Sequence, residues 1–252
     1  MARSAASFET PSLVECREGS EKAMENAERH LRCARVLAGA REYGPASSHL
    51  VLAGEEALKA EVLYSVSIGI PLSQDALRSV LRKHVDRHLV AGLAIGFSFL
   101  SRRIVATFSP PVSLPLPPLG PEQQRDWEEV LSHLRLGASV DEDRAFTKRC
   151  QDWWVCADTL RNSGFYADHM EGRWESPRSV SQEEYLASLE IVEAFFWSAK
   201  AFCLAWETLP NDTRSEVIGE IRSIPESFGG EFAREMESLW AAERWPVIGG
   251  KL

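Results

Sequence analysis

The sequence predicts an all-α protein, organised as an antiparallel helical bundle with a proline-rich connector and extra C-terminal helices. Apolar residues recur at steps of three and four along several long segments. No segment alternates between apolar and polar residues for more than a few positions, so strands are not expected. The longest apolar run, residues 89–100, is shorter than the roughly 20 residues of a membrane-spanning helix and predicts a buried helix instead.

Composition and charge narrow the class of protein. The chain has 252 residues, 44% of them hydrophobic and 26% charged, which is typical of globular proteins. A net charge of −9 disfavours membrane surfaces and a nucleic-acid interface spread over the whole protein, although a local basic cleft stays open. The N-terminus has no apolar run, and the five cysteines are scattered without a CxxC pair. We therefore expect a cytoplasmic protein without structural zinc.

The first helical half is predicted over residues 18–108, after an N-terminal tail of residues 1–17. Its first helix is marked by one apolar stripe and ends near 43–45, where glycine suits a helix C-cap and proline can open the next helix. A second helix is predicted over 46–68. A third begins after Ser73, a suitable N-cap, and continues toward residue 108. The stripe of the first helix comprises Met24, Ala27, Leu31, Ala34 and Ala38.

Residues 109–121 form the connector, since they hold six prolines, which lack the amide donor that a helix needs. A plain linker is favoured over a ligand for proline-recognition modules. The second half, residues 122–252, is predicted to complete one composite domain with the first. Its clearest helix follows a capping box formed by Ser181 and Glu184. The predicted helices span residues 121–136, 141–162, 181–206, 213–224 and 228–243.

The second predicted helix carries charged residues among small and apolar ones. Glu55 and Glu56 precede Lys59 by four and three positions, so both carboxylates can meet the ammonium group on one helix face. A surface ion pair of this kind contributes little to stability. A partly buried polar cluster costs free energy and is more often kept for function. Both interpretations stay open.

The third predicted helix is basic and carries two histidines, His84 and His88. Their spacing could ligate a metal, but no third ligand is evident, so we expect neither a metal nor a cofactor. Contact with an RNA backbone and a merely solvated basic face are both compatible with the pattern. Arg78 and Arg82 each precede one of these histidines by six positions, which places the side chains roughly 120° apart on a regular helix. A site built from such a pair needs a backbone break or a second protomer.

A turn-rich connector spans residues 161–177 between two long helices, punctuated by glycine and proline. Its aromatic residues Phe165, Tyr166 and Trp174 are expected to pin it to the bundle by apolar burial. Asp168 is a candidate acid/base group, although capping of the loop is the favoured role.

These motifs together resemble the abortive-infection proteins of the AbiV type, a branch of the HEPN superfamily. The resemblance rests on five features in chain order. They are Asn26-Ala27, the Tyr43 turn, the helix around Glu55-Glu56 and Lys59, the helix with Lys83-His84, and the turn-rich connector of residues 161–177. The connector contributes Tyr166, Asp168 and Trp174 in the order found in that family. The match covers roughly residues 20–100 and 150–206.

The resemblance implies a HEPN-like bundle, usually a homodimer, that acts as a phage-defence effector and stops translation. Many HEPN proteins are metal-independent RNases whose motif is an Arg, four to six residues, then a His. By position, Arg78 with His84 is the first choice and Arg82 with His88 the second, supported by the polar residues of the second helix. The residue after the motif Arg is often polar, and Ser79 and Lys83 both fit.

The partners implied are RNA and a phage-encoded activator protein. A non-catalytic module that binds a phage protein or the translation machinery is the alternative function. A structural or regulatory bundle outside phage defence is a third hypothesis.

Overall fold

The computed structural model describes residues 10–70, 72–82, 120–133, 140–166, 168–170, 173–176 and 180–223. The chain divides into two compact units, residues 1–209 and 210–252. Helices dominate the described residues, which confirms the all-α prediction. The first unit contains α1 (Leu13–Gly39), α2 (Tyr43–Ser67), α3 (Gln74–Arg82), α4 (Pro121–His133), α5 (Val140–Phe165), β1 (Asp168–Met170), β2 (Arg173–Glu175) and α6 (Gln182–Thr208). The second unit contains α7 (Asn211–Ser223).

Helix α1 begins earlier than the end of the predicted tail 1–17. Ser12 and Glu15 form a capping box, in which the Ser12 side chain accepts from the Glu15 amide and the Glu15 carboxylate accepts from the Ser12 amide. This reciprocal cap satisfies two amide donors that a helix start leaves without partners. Residues 13–17 therefore belong to the helix rather than to the tail.

The turn between α1 and α2 also lies earlier than the sequence indicates. Arg41 adopts a left-handed backbone with φ 63°, and its amide donates to the Ala38 carbonyl at 2.9 Å. The next helix starts at Tyr43 because Pro45 fits within a first helical turn, where amide donors are unpaired anyway. Residues 43–45 thus open α2 instead of separating the two helices.

Helix α2 is the centre of the first unit and is buried along most of its length. It runs antiparallel to α1, since the Ser20 hydroxyl donates to the Ala60 carbonyl near one end of the hairpin. Helix α5 packs on it so closely at Gly54 that an added Cβ would lie 3.0 Å from the Trp154 ring. Helix α6 completes the core, with the Tyr64 ring edge-on to that of Phe202. The bundle therefore wraps α2 with three long helices.

Polar contacts fix α4 and α5 against α6. The Trp153 indole donates to the Ser188 hydroxyl at 3.0 Å, joining α5 to α6. The His133 ring stacks on Trp197 with centroids 4.0 Å apart, joining α4 to α6. The capping box predicted at the start of α6 is confirmed, because the Ser181 side chain accepts from the Glu184 amide at 3.2 Å.

A small antiparallel hairpin interrupts the connector between α5 and α6, a feature that the sequence did not predict. Strands β1 and β2 pair with His169 opposite Trp174. Three-residue strands are too short to show a periodic pattern, which explains the difference.

Several predictions fall outside the described residues: the third helix beyond Arg82, most of the proline-rich connector and the helix at 228–243. Where α3 is described, its predicted N-cap is confirmed, because the Ser73 hydroxyl accepts from the Ala76 amide at 3.2 Å. The domain boundaries stay predictions. Within the described ranges, every helix is either too short or too polar to cross a membrane.

Candidate functional site

One stripe of α2 stays partly exposed after the bundle has assembled. Between residues 45 and 62, every residue outside this stripe is buried. The steps of three and four residues place the stripe on one helix face. The face therefore gathers three polar side chains of α2, those of His49, Glu56 and Lys59, at a single surface. Its members are Pro45, His49, Leu52, Glu56, Lys59 and Val62.

Two histidines from neighbouring helices meet at this face. The Nδ1 atoms of His30 on α1 and His49 on α2 lie 2.9 Å apart, and the ring centroids are 5.2 Å apart. A hydrogen bond between two imidazole nitrogens needs one N–H donor and one lone pair. The pair therefore holds when at least one of the two rings is neutral, and double protonation breaks it.

Burial keeps both imidazoles neutral. It lowers the pKa of His30, and a positive charge on His49 would lower that pKa further, while the Glu56 carboxylate opposes the shift. Burial likewise lowers the pKa of His49. Because a neutral imidazole has a lone pair that can accept a proton, the pair suits general acid/base chemistry at neutral pH.

A fully buried carboxylate lies beside the pair. The Glu55 side chain accepts a hydrogen bond of 3.2 Å from the Nη1 of Arg161 on α5, and Arg161 also pairs with Asp158. Glu56 and Lys59 form an ion pair on α2, with side chains 14% and 19% exposed. Of the two interpretations left open by the sequence, the described geometry is that of the partly buried polar cluster.

We call this group the histidine cluster. It combines acid/base groups with cations held by carboxylates. Its members are His30, His49, Glu55, Glu56, Lys59, Asp158 and Arg161.

Close backbone packing places α5 next to His49. A Cβ on Gly164 would lie 2.3 Å from the Gly44 carbonyl oxygen and 2.1 Å from the Ser48 hydroxyl, so only glycine fits there. The Ser48 hydroxyl donates to the Arg161 carbonyl at 2.8 Å. The Phe165 ring then meets the His49 ring edge-on, with centroids 5.6 Å apart.

The predicted Arg–His pairs are only partly within the described residues. Arg78 and Arg82 are exposed on α3, which packs through Leu77 against the first turns of α1 and the last turns of α2. His84 and His88 lie outside the described residues, so both pairings stay predictions.

The connector residues differ from the expectation of apolar burial. Phe165 is 40% exposed and Tyr166 is 66% exposed, so the predicted burial of these two rings is wrong. The physical reason is their position at the last turn of α5, where the backbone of Gly164 faces α2. Asp168 lies in β1 and Trp174 in β2.

The sequence did not single out His30, His49 or Arg161 as site residues. The two histidines are 19 positions apart on different helices, and no local spacing joins them. The sequence held a partial signal for Arg161: a polar residue, Asn162, follows it, as often happens after the Arg of the HEPN RNase motif. His169, however, follows Arg161 at eight positions, outside the interval of the HEPN motif.

The first unit is thus a helical bundle whose polar site lies between packed helices. A model of the HEPN proteins described as AbiV matches residues 15–197 and includes the whole histidine cluster. Because this match covers more than half of the chain, the protein belongs to the AbiV family of HEPN proteins, as its motifs indicated. Membership indicates an abortive-infection function of the HEPN type. No curated protein and no solved structure matches the chain.

Proposed function

We propose that this protein is a phage-defence effector that cleaves host or phage RNA without a metal and thereby stops translation. The histidine cluster is the proposed site. The observation that carries the proposal is the 2.9 Å contact between the two imidazole Nδ1 atoms, one of them on α2, whose Glu55 also holds the Arg161 guanidinium of α5. Acid/base groups beside a fixed cation are what phosphodiester transesterification requires.

The histidine pair can move both protons of the reaction. In the tautomer in which His49 donates from Nδ1, its Nε2 takes the proton from the ribose 2′-hydroxyl while its Nδ1 proton passes to His30. His30 releases its Nε2 proton to the leaving 5′-oxygen. The 2′-oxygen bonds to phosphorus as the bond from phosphorus to the 5′-oxygen breaks. The products are a 2′,3′-cyclic phosphate and a 5′-hydroxyl end, and both rings stay neutral overall.

Arg161 is the proposed stabiliser of negative charge on the phosphorane. A guanidinium carries five N–H donors, and its contacts with Glu55 and Asp158 use two of them. Those carboxylates fix the orientation of the guanidinium before the substrate arrives, as electrostatic preorganisation requires. Lys59 supplies a second cation on the same stripe of α2 as His49.

A second location for the chemistry is the sequence segment 78–88, with Arg78 and His84, or Arg82 and His88, acting across a homodimer. The exposed arginines on α3 support this version. A cytoplasmic site of action and an activator encoded by the phage complete the proposal.

The alternative is a non-catalytic module that binds a phage protein or the translation machinery. One observation favours it: the cluster contains three carboxylates, those of Glu55, Glu56 and Asp158. Carboxylates at an interface attract a basic partner and disfavour a phosphate.

The test is cleavage of tRNA and messenger RNA by the purified protein in EDTA. We expect 2′,3′-cyclic phosphate and 5′-hydroxyl ends, and about a 10²-fold loss of rate in Arg161→Lys, which keeps a positive charge beside Glu55 but loses the planar donor set. Arg149→Lys is the matched control, since Arg149 is on the same helix and pairs with the carboxylate of Glu190. Absence of cleavage by a protein that protects cells from phage supports the binding module instead.

A further inference from the structure

Two consecutive aromatic side chains are exposed where α5 ends. Phe165 and Tyr166 are among the few large hydrophobic side chains of the described residues that the bundle leaves in solvent. Exposed rings next to each other offer a large apolar contact area to a ligand.

The backbone that carries these rings is held in place by the bundle. The Tyr166 amide donates to the Asn162 carbonyl at 2.9 Å, which continues the helical hydrogen bonding to the end of α5. The preceding turn is held by the close approach of Gly164 to the Gly44 carbonyl. A preorganised ring loses little conformational freedom when a ligand stacks on it.

The exposed rings continue directly from the histidine pair. Ring centroids are 5.2 Å apart from His30 to His49, 5.6 Å from His49 to Phe165, and 6.3 Å from Phe165 to Tyr166. The four rings form one row, with the proposed proton-transfer groups at one end. A group that stacks on Phe165 therefore lies next to the site where the phosphodiester would be cleaved, and a group on Tyr166 lies one ring further away.

We propose that Phe165 and Tyr166 form a stacking platform for one unpaired nucleobase adjacent to the cleaved phosphodiester. This rests on the proposed RNase function and specifies its substrate as RNA that is single-stranded at that position. Every base has a π-face, so the platform supplies affinity with little sequence preference. A base in a duplex is stacked between its neighbours and cannot use the platform without leaving the helix.

The test is a single-stranded RNA with a mapped cleavage site, in which one abasic residue replaces each flanking nucleotide in turn. The wild-type protein is expected to lose about 5- to 150-fold in kcat/KM at one flanking position, the factor that corresponds to about 1–3 kcal/mol of base stacking. Tyr166→Ala is expected to show that loss already with intact RNA and no further loss with the abasic RNA. Tyr166→Phe is expected to behave as wild type. Leu186→Ala, which removes an exposed apolar side chain from α6, is the matched control.

The outcomes separate the two proposals. If the wild-type protein cleaves no RNA, the proposed function fails and the platform fails with it. If it cleaves but shows no abasic penalty, or the same penalty in Tyr166→Ala, only the platform is overturned. Equal cleavage of a duplex paired across the site also overturns the platform. Loss of phage protection in Tyr166→Ala with unchanged cleavage does so as well and identifies a protein contact instead.

Discussion

The Nδ1 atoms of His30 and His49 lie 2.9 Å apart across the α1–α2 hairpin. The contact exists because the two antiparallel helices, joined by a short turn at Arg41, bring these positions to the same level of the bundle. As a chemical consequence, the two imidazoles share one hydrogen-bonded proton, and a positive charge on one ring disfavours protonation of the other. The predictions below follow from this pair and from the side chains packed around it.

The pair predicts loss of stability in acid. Burial lowers the pKa of both histidines in the folded state, so between those values and 6.5 the unfolded chain binds more protons than the folded one. The contribution of the histidine pair to the free energy of unfolding should therefore fall as the pH drops below 6.5, by at most about 1.4 kcal/mol per pH unit for each histidine. Urea unfolding at pH 7.5 and pH 5.5 measures this. His49→Asn should weaken the dependence, and an identical pH dependence in this variant would contradict the account.

For the buried carboxyl of Glu61 we expect a pH dependence of stability with the opposite sign. Burial raises the pKa of this carboxyl to about 8, and its Oε2 has no hydrogen-bond partner among the described residues. The folded state then binds the proton more tightly than the unfolded state between pH 4.5 and 8. The contribution of Glu61 to stability should decline as the pH rises through that window, opposite to the contribution of the two histidines. Glu61→Gln should remove the decline in urea unfolding, whereas Glu25→Gln, at an exposed position of α1, should leave it in place.

Removal of Arg161 alone should lower the free energy of unfolding more than removal of both Arg161 and Glu55. Arg161→Met leaves the fully buried Glu55 carboxylate without its guanidinium partner, which typically costs about 3–5 kcal/mol. The double variant Glu55→Gln with Arg161→Met should be clearly more stable than Arg161→Met alone, as measured by denaturant unfolding. Arg149→Met breaks a more exposed pair and should cost at most about 1 kcal/mol. Additive losses in the double variant would rule out the coupling.

The glycine at the α2–α5 contact should not tolerate a methyl group. Gly164→Ala places a Cβ against the Gly44 carbonyl oxygen, which is backbone and cannot move aside cheaply, so we expect a loss of about 1–3 kcal/mol. Gly39→Ala meets open space at the end of α1 and should cost nothing or stabilise. Thermal unfolding of Gly164→Ala and Gly39→Ala measures the difference in their melting temperatures. Equal melting temperatures would show that α5 does not pack on α2 this closely.

Local patterns predicted the helices, whereas they did not point to the histidine cluster. The capping box at Ser181 and the N-cap at Ser73 are signals within four residues, and the structure confirms both. Helix α1 starts before the predicted boundary at residue 18, because Ser12 and Glu15 form an equivalent box. The β1–β2 hairpin was missed because three residues show no period.

The site depends on contacts between distant segments, which a single sequence does not encode in any local spacing. The spacing of Glu55 and Lys59 allows them to meet on one helix, and the structure pairs Glu55 with Arg161, 106 positions away on α5. Phe165 was expected to be buried because it is apolar. Its actual exposure follows from Gly164, whose hydrogen side chain lets the backbone face α2 and turns the neighbouring ring outward.

The most direct test compares four histidine variants for RNA cleavage in EDTA: His30→Ala, His49→Ala, His84→Ala and His88→Ala. If the α1–α2 pair transfers the protons, the first two lose about 10²- to 10⁴-fold in rate while the last two keep the wild-type rate. Wild-type cleavage by His30→Ala and His49→Ala would contradict the central claim, and a loss confined to His84→Ala or His88→Ala would move the chemistry to the α3 segment.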